Sequence, residues 1–140
     1  MKKLFKLYPL ILGVVICNYA FAVTSNTINF KNQRGSTMKL IWKEDLKNTG
    51  TLSGTFITAV GNCKKDMGVE MPLTGYFNGN AIALTVNFPH CNQVVSITGN
   101  ISEDKNTINT LWLDTVASSD PSGKNWNSNI IGYDSYQKIE

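Results

Sequence analysis

Apolar and polar positions alternate along most of this chain in short runs, and clusters of turn residues separate the runs. "STMKLIWKED" is followed by "LKNTG", "TLSGTFITAV" by "GNCKKDMGVEM", and "PLTGYFNG" by "NAIALTVNF". Beyond "PHCN" come "QVVSITGNIS", "EDKN", "TINTLWLDTVA", "SSDPSGKN", "WNSN" and "IIGYDSYQKIE". No segment sustains an apolar period of 3.6, and the one local exception to extended structure is a turn expected near Ser119–Asn125. About eight strands at short, even spacing predict an all-β protein, an antiparallel barrel or sandwich. In "EDKN" and "NGN", Asn and Gly are the residues expected to take positive φ.

The two-residue period also assigns faces. Phe56 and Thr58 share one face, and Ile57 and Ala59 the other. Leu84, Val86 and Phe88 line up together. So do Thr110, Trp112 and Asp114 on one run, and Gly132, Asp134 and Tyr136 on another. A carboxylate on an inward face needs a partner, because burying a lone charge is costly. Such an aspartate is either an outward residue or part of a polar ligand site.

The N-terminus changes the composition. "MKKLFKLYPLILGVVICNYAFA" joins three lysines to an apolar run and ends on Ala20-Phe21-Ala22. This predicts a secretory signal peptide, residues 1–22, ahead of one domain at 23–140. The apolar stretch from Leu7 to Cys17 is broken by Pro9 and is short for a membrane span. Val14, Val15 and Ile16 are poor neighbours for lipoprotein processing at Cys17. The leader holds three of the 13 Lys and Arg and none of the 10 Asp and Glu, so the remaining chain is formally neutral. Its charge therefore offers no attraction for nucleic acid or, once the leader is gone, for membranes. The chain is expected to be periplasmic or secreted.

Two cysteines follow the leader, Cys63 and Cys91. In an oxidising compartment such a pair reads as one disulfide. With the single histidine, His90, they match no zinc pattern, so no metal is expected. His90 sits in a Pro-His-Cys loop and reads as a solvated surface residue. No Ser/His/Asp set or pair of carboxylates at catalytic spacing is present, so the chain is not expected to be an enzyme.

Several stretches, taken in order, resemble the avidin and streptavidin family across nearly the whole of 23–140. "NQRGST" (Asn32–Thr37) is similar to the family's first-strand turn. "SGTFITAVGN" (Ser53–Asn62) is similar to its third strand and following lid loop. "PLTGYFNG" (Pro72–Gly79) and "TINTLWL" (Thr107–Leu113) fit strands four and seven. "NWNSNIIGYDSYQKI" (Asn125–Ile139) fits the segment that ends in the last strand. The resemblance implies an eight-stranded antiparallel up-and-down barrel that holds biotin at one mouth, without a cofactor. Eight strands enclose an interior suited to one small ligand.

The resemblance also implies a site in three parts. Asn32, Ser36, Thr58 and Asp134 match four of five polar residues that hold the ureido ring. The fifth, a tyrosine, is replaced by Phe56. Around the bicycle, Trp112 matches a family tryptophan, Phe88 and Leu84 replace aromatics, and Ile97 stands where a tryptophan often sits. Trp126 matches the tryptophan that reaches a neighbouring subunit's site in tetramers. For the tail, Gln93 and Val95 occupy positions where the family often has Ser or Thr, with Asn62 nearby. Ordinary turn chemistry accounts equally for Asn32 and Ser36, and barrel core for Trp112 and Phe88.

In the family's dimeric bacterial members a disulfide joins the loop after strand three to the loop after strand five. Cys63 and Cys91 fall in those loops. Trp126 is a tetramer feature and the disulfide a dimer feature, so homodimer and homotetramer both stay open. A secreted barrel that binds another small ligand, or acts as a non-catalytic interaction module, is the alternative, favoured by Phe56, Val95 and Ile97.

Overall fold

Period-two alternation gives each strand one dry face, and a sheet with one dry face can cover it by closing on itself. The chain does this. The structure is a computed structural model and describes residues 26–118 and 129–140. Its strands are β1 (Asn26–Asn32), β2 (Thr37–Leu46), β3 (Thr49–Ile57), β4 (Glu70–Asn78), β5 (Ala81–Phe88), β6 (Gln93–Ile101), β7 (Thr107–Val116) and β8 (Asn129–Ile139). They form one closed barrel in sequence order, each antiparallel to the next, with β1 pairing β8 through Asn32 and Tyr136.

The alternation is plainest on β5, where Ile82, Leu84, Val86 and Phe88 are buried and the residues between them exposed. With Phe30, Met38, Leu40, Leu52, Leu73, Ile108 and Tyr136 they make a continuous core inside the barrel. Trp42 and Phe77 meet edge to face at 4.9 Å within it, a favoured aromatic geometry.

Three details differ from the sequence reading. β1 completes the ring, although "NTINFKN" was not among the runs picked out, since only Ile28 and Phe30 mark its inner face. β3 ends at Ile57, so Thr58 and Val60 lie in the loop that follows it. In "EDKN" the positive φ falls on Lys105 (56°) rather than on Asn106. There Ser102 Oγ accepts from the Asn106 and Thr107 N–H groups, and Asp104 Oδ1 also accepts from Asn106. These bonds place the reversal one residue earlier and hold Asn106 at its exit. In "NGN", Gly79 takes positive φ (57°), as expected.

One end of the barrel gathers the turn 33–36, the loop 58–69 and the 3₁₀ turn Pro89–Cys91. This end is the mouth. Gly35 has φ 93° and closes the first turn, with Gly35 N–H to Asn32 O at 3.0 Å and Asn32 N–H to Ser36 O at 2.9 Å. A side chain would be strained at that φ. The Cys63–Cys91 disulfide is formed, with Cα atoms 5.9 Å apart. Beside it Asp66, only 1% exposed, accepts from the ring Nδ1–H of His90 at 2.6 Å and from the Cys91 N–H at 3.1 Å. His90 is therefore exposed but anchored, and the long loop is fastened to the β5–β6 turn by a covalent bond and a carboxylate together.

Candidate functional site

The mouth opens into a cavity of about 390 Å³, within the usual size range of small-molecule sites. Of the residues expected to form a site, the cavity is lined by Ser36, Phe56, Thr58, Asn62, Phe88, Gln93, Val95, Ile97, Trp112 and Asp134. Both cysteines of the disulfide also border it. Leu84 is buried in the core and does not line this cavity. Trp126, like the turn expected near Ser119–Asn125, lies outside the described residues.

Asn32 stands behind the wall rather than on it. Its Oδ1 accepts from the Arg34 and Ser36 N–H groups at 3.0 and 2.8 Å, and its Nδ2 donates to Asp134 Oδ2 at 3.0 Å. The side chain thus shapes the β1–β2 turn and ties it to β8. Asp134 is buried and inward, and it has the partners that such a carboxylate requires. Gln33 Nε2 donates to its Oδ1 at 3.0 Å, and Arg34 Nε lies 3.2 Å from the same oxygen. Neither Gln33 nor Arg34 was picked out from the sequence. A carboxylate has about four acceptor sites. Oδ1 uses two on these partners and Oδ2 uses one on Asn32, which leaves an acceptor direction on Oδ2.

The hydroxyls of Ser36 and Thr58, two residues that line the same cavity, are oriented by the backbone. Ser36 Oγ accepts from the Ala59 N–H at 3.0 Å, so its own O–H is left to donate. Thr58 Oγ1 donates to the Val60 carbonyl at 2.6 Å, so its lone pairs are left to accept. A hydroxyl has one O–H and two lone pairs, so Ser36 keeps its donor and one lone pair, and Thr58 keeps both lone pairs.

Tyr136 also lines the cavity and is 1% exposed. Alternation had placed it on the face of Asp134, but nothing in the sequence marked it as more than core. Burial pushes its phenol well above the usual tyrosine range, and the Asp134 charge adds to this; a side-chain hydrogen bond with Asn32 and the Arg34 charge oppose them. The group therefore stays an uncharged O–H donor at physiological pH. Phe56 faces the same cavity from β3, edge to face with Phe88 at 6.2 Å, and brings no polar atom.

Trp112 forms part of the wall between the two ends of the cavity. Gly132, its neighbour across the β7–β8 ladder, makes room for the ring: a Cβ there would lie 2.2 Å from Trp112 Cζ2. The Arg34 guanidinium carbon sits 5.8 Å from the ring centroid, within cation–π range. Trp112 Nε1 is buried with no hydrogen-bond partner among the described residues. Nearer the mouth, Gln93 Nε2 donates to Asp114 Oδ2 at 3.0 Å, while Asp114 Oδ1 is buried without a partner among the described residues. Burial pushes the Asp114 carboxyl above its ordinary range.

The site can thus offer donors from Ser36 and Tyr136 and acceptors from Thr58 and Asp134, next to an apolar and aromatic wall. Residues 22–139 match the model of the avidin family. No curated protein matches the sequence. Among solved structures, the rhizavidin–biotin complex is similar at 25% identity and TM-score 0.65, covering 86% of this chain and 98% of that one. The bradavidin2–biotin complex is similar at 26% identity and TM-score 0.63, covering 81% and 96%. A biotin-binding protein from chicken, at 19% identity and TM-score 0.68, covers 80% and 94% and shares the fold.

Proposed function

The chain belongs to the avidin family, and on that premise we propose that it is an exported, non-catalytic biotin-binding protein that holds its ligand in the barrel mouth. The observation that carries the reading is the set of hydrogen-bonding groups left over around Asp134. A cyclic urea has one carbonyl oxygen that accepts and two N–H groups that donate. Ser36 O–H and Tyr136 O–H are the two donors for the oxygen. Thr58 Oγ1 and Asp134 Oδ2 are the two acceptors for the nitrogens. Tyr136 in this scheme supplies from β8 the phenol that Phe56 lacks on β3, and Asn32 acts by fixing Asp134. Trp112, Phe88 and Phe56 pack the bicycle. Gln93, Val95 and Asn62 border the tail, and Trp126 of a neighbouring copy is the residue that would cover it.

Binding to the folded state alone must raise its apparent stability. Excess biotin should therefore raise the melting temperature of the purified protein with its disulfide formed. No shift would count against biotin and in favour of the alternative, a barrel whose apolar Phe56, Val95 and Ile97 suit a different small ligand.

Residues 1–22 act in this account as a cleaved leader and 23–140 as the working domain. Among the described residues no helix is long and apolar enough to cross a membrane. The working form is an oligomer of identical chains. Along β5–β8 the outward positions from Ala81 to Ser135 carry no charge among the described residues, and Leu111, Ile131 and Tyr133 are 59%, 74% and 72% exposed there. By contrast β2 points Lys39 and Lys43 outward. A broad uncharged face with large apolar residues fits a second copy of itself. Sedimentation of the native protein as a monomer at micromolar concentration would contradict this.

A further inference from the structure

The ureido end of the cavity is accounted for by Asp134 and its neighbours, but the mouth end holds a second carboxylate with different surroundings. On β7 the inward residues run Thr110, Trp112, Asp114, and their β8 partners run Asp134, Gly132, Ile130. Asp114 is thus four residues nearer the mouth than the level of Asp134, about 13 Å along the strand. A ligand whose ring lies against Asp134 and Trp112 must send its tail past Asp114.

The groups around that tail are unusual for receiving an anion. Asp114 Oδ2 is bonded by Gln93, and its Oδ1 is buried with no donor among the described residues. Asp66, the third carboxylate on the lining, is already taken by His90 and Cys91. Arg34 is the one cation among the described lining residues, and it is held at Asp134. The Lys64 ammonium contacts the Gly61 carbonyl at 3.3 Å and lies off the lining. Val95, paired with Asp114 across the β6–β7 ladder, has no polar atom to offer. A buried anionic oxygen without a donor is costly, and a second negative charge brought beside it adds repulsion. A ligand N–H would remove both penalties.

We infer that the cavity selects biotin whose carboxyl is masked as an amide, the chemistry of a biotinyl-lysine side chain or biotinamide, over free biotin, through the unpartnered oxygen of Asp114. This rests on the biotin reading above and adds the form of the ligand. The amide N–H donates to Asp114 Oδ1, and Gln93 stays on Oδ2.

The test compares free biotin, biotin methyl ester, biotinamide and biocytin by competition against a fluorescent biotin amide on the native protein. The expected order is amides tightest, ester next and free acid weakest, with at least tenfold between amide and acid at low salt. Asp114→Asn keeps the shape, removes the charge and supplies a donor, so it should shrink or reverse the gap by improving free biotin. Its melting curve reports separately on folding. Free biotin binding as tightly as the amides, or a gap unaltered in Asp114→Asn, would overturn the inference and leave the biotin reading standing. Failure of all four to bind would overturn the biotin reading and the inference with it.

Discussion

Replacing Tyr136 by Phe removes a single oxygen from the cavity wall and leaves the ring in the core. Across the β1–β8 ladder Tyr136 pairs with Asn32, whose side chain opposes the rise in the phenol's pKa. Asn32 keeps its bonds to Asp134 and to the Arg34 and Ser36 N–H groups. The loss to the unliganded fold is then at most one hydrogen bond between neutral groups, about 1 kcal/mol. For a domain of this size that lowers the melting temperature by about 4 °C. In the complex the ureido oxygen loses one of two donors while remaining out of water, which costs about 1–3 kcal/mol. The expected weakening is about 5- to 150-fold. The assay is biotin dissociation by stopped exchange, with the apo melting curve measured on the same preparation. Adding Phe56→Tyr to this variant returns a hydroxyl from the β3 wall, and should recover part of the affinity. A variant with a lowered melting temperature and an unchanged off-rate would refute the reasoning. Tyr136 would then be core only, and Ser36 would be left as the one assigned donor to the oxygen.

Converting Cys63 and Cys91 together to Ser should cost roughly 3.5 kcal/mol for the loop they close, read by denaturant unfolding, and should speed biotin release because the long loop is no longer fixed before binding; peptide mapping without reductant should find the bridge in oxidatively made protein. Gly132→Ala places a methyl carbon against Trp112, where a Cβ would come within 2.2 Å of Cζ2; the expected result is about 1–3 kcal/mol of overpacking strain, a shifted tryptophan emission and weaker binding. For Asp114 the sign follows from its raised carboxyl. The folded state holds that proton more tightly than the unfolded chain, so its contribution favours folding below the ordinary carboxylate pKa and is lost as pH rises through the raised value. Asp114→Asn should therefore gain slightly in melting temperature at pH 7 and show no gain near pH 3; an equal effect at both would contradict it.

The barrel was legible in the sequence because its strands alternate cleanly and its turns carry Gly and Asn. "NAIALTVNF" reads directly as β5, down to which residues are buried. β1 was harder, because in "NTINFKN" the inner face ends on a polar residue, Asn32, whose burial depends on partners a hundred residues away. The avidin resemblance named residues of β3, β6 and β7 that line the cavity. The alternation put Asp134 on one face with Gly132 and Tyr136 but left open whether that face is the inner one, which its burial decides. What it could not supply was the state of each hydrogen-bonding group. Asn32 Oδ1 is taken up by its own turn and one Nδ2–H by Asp134, Arg34 and Gln33 converge on Asp134, and Tyr136 lines the cavity from a position that reads as core. Those facts follow from the closure of β8 against β1 and from the exact path of a four-residue turn. The unpartnered oxygen of Asp114 is likewise a consequence of packing, since "TLWLD" shows a carboxylate on the inner face and nothing of what surrounds it.

The most direct test of the central claim is isothermal titration of biotin and biotinamide into purified, disulfide-bonded protein beginning at residue 23. The account predicts saturable binding at one ligand per chain, with a negative heat-capacity change from burial of the bicycle against Trp112 and Phe88. Titration of both ligands without heat at several temperatures, on protein whose melting curve shows it folded, would contradict it.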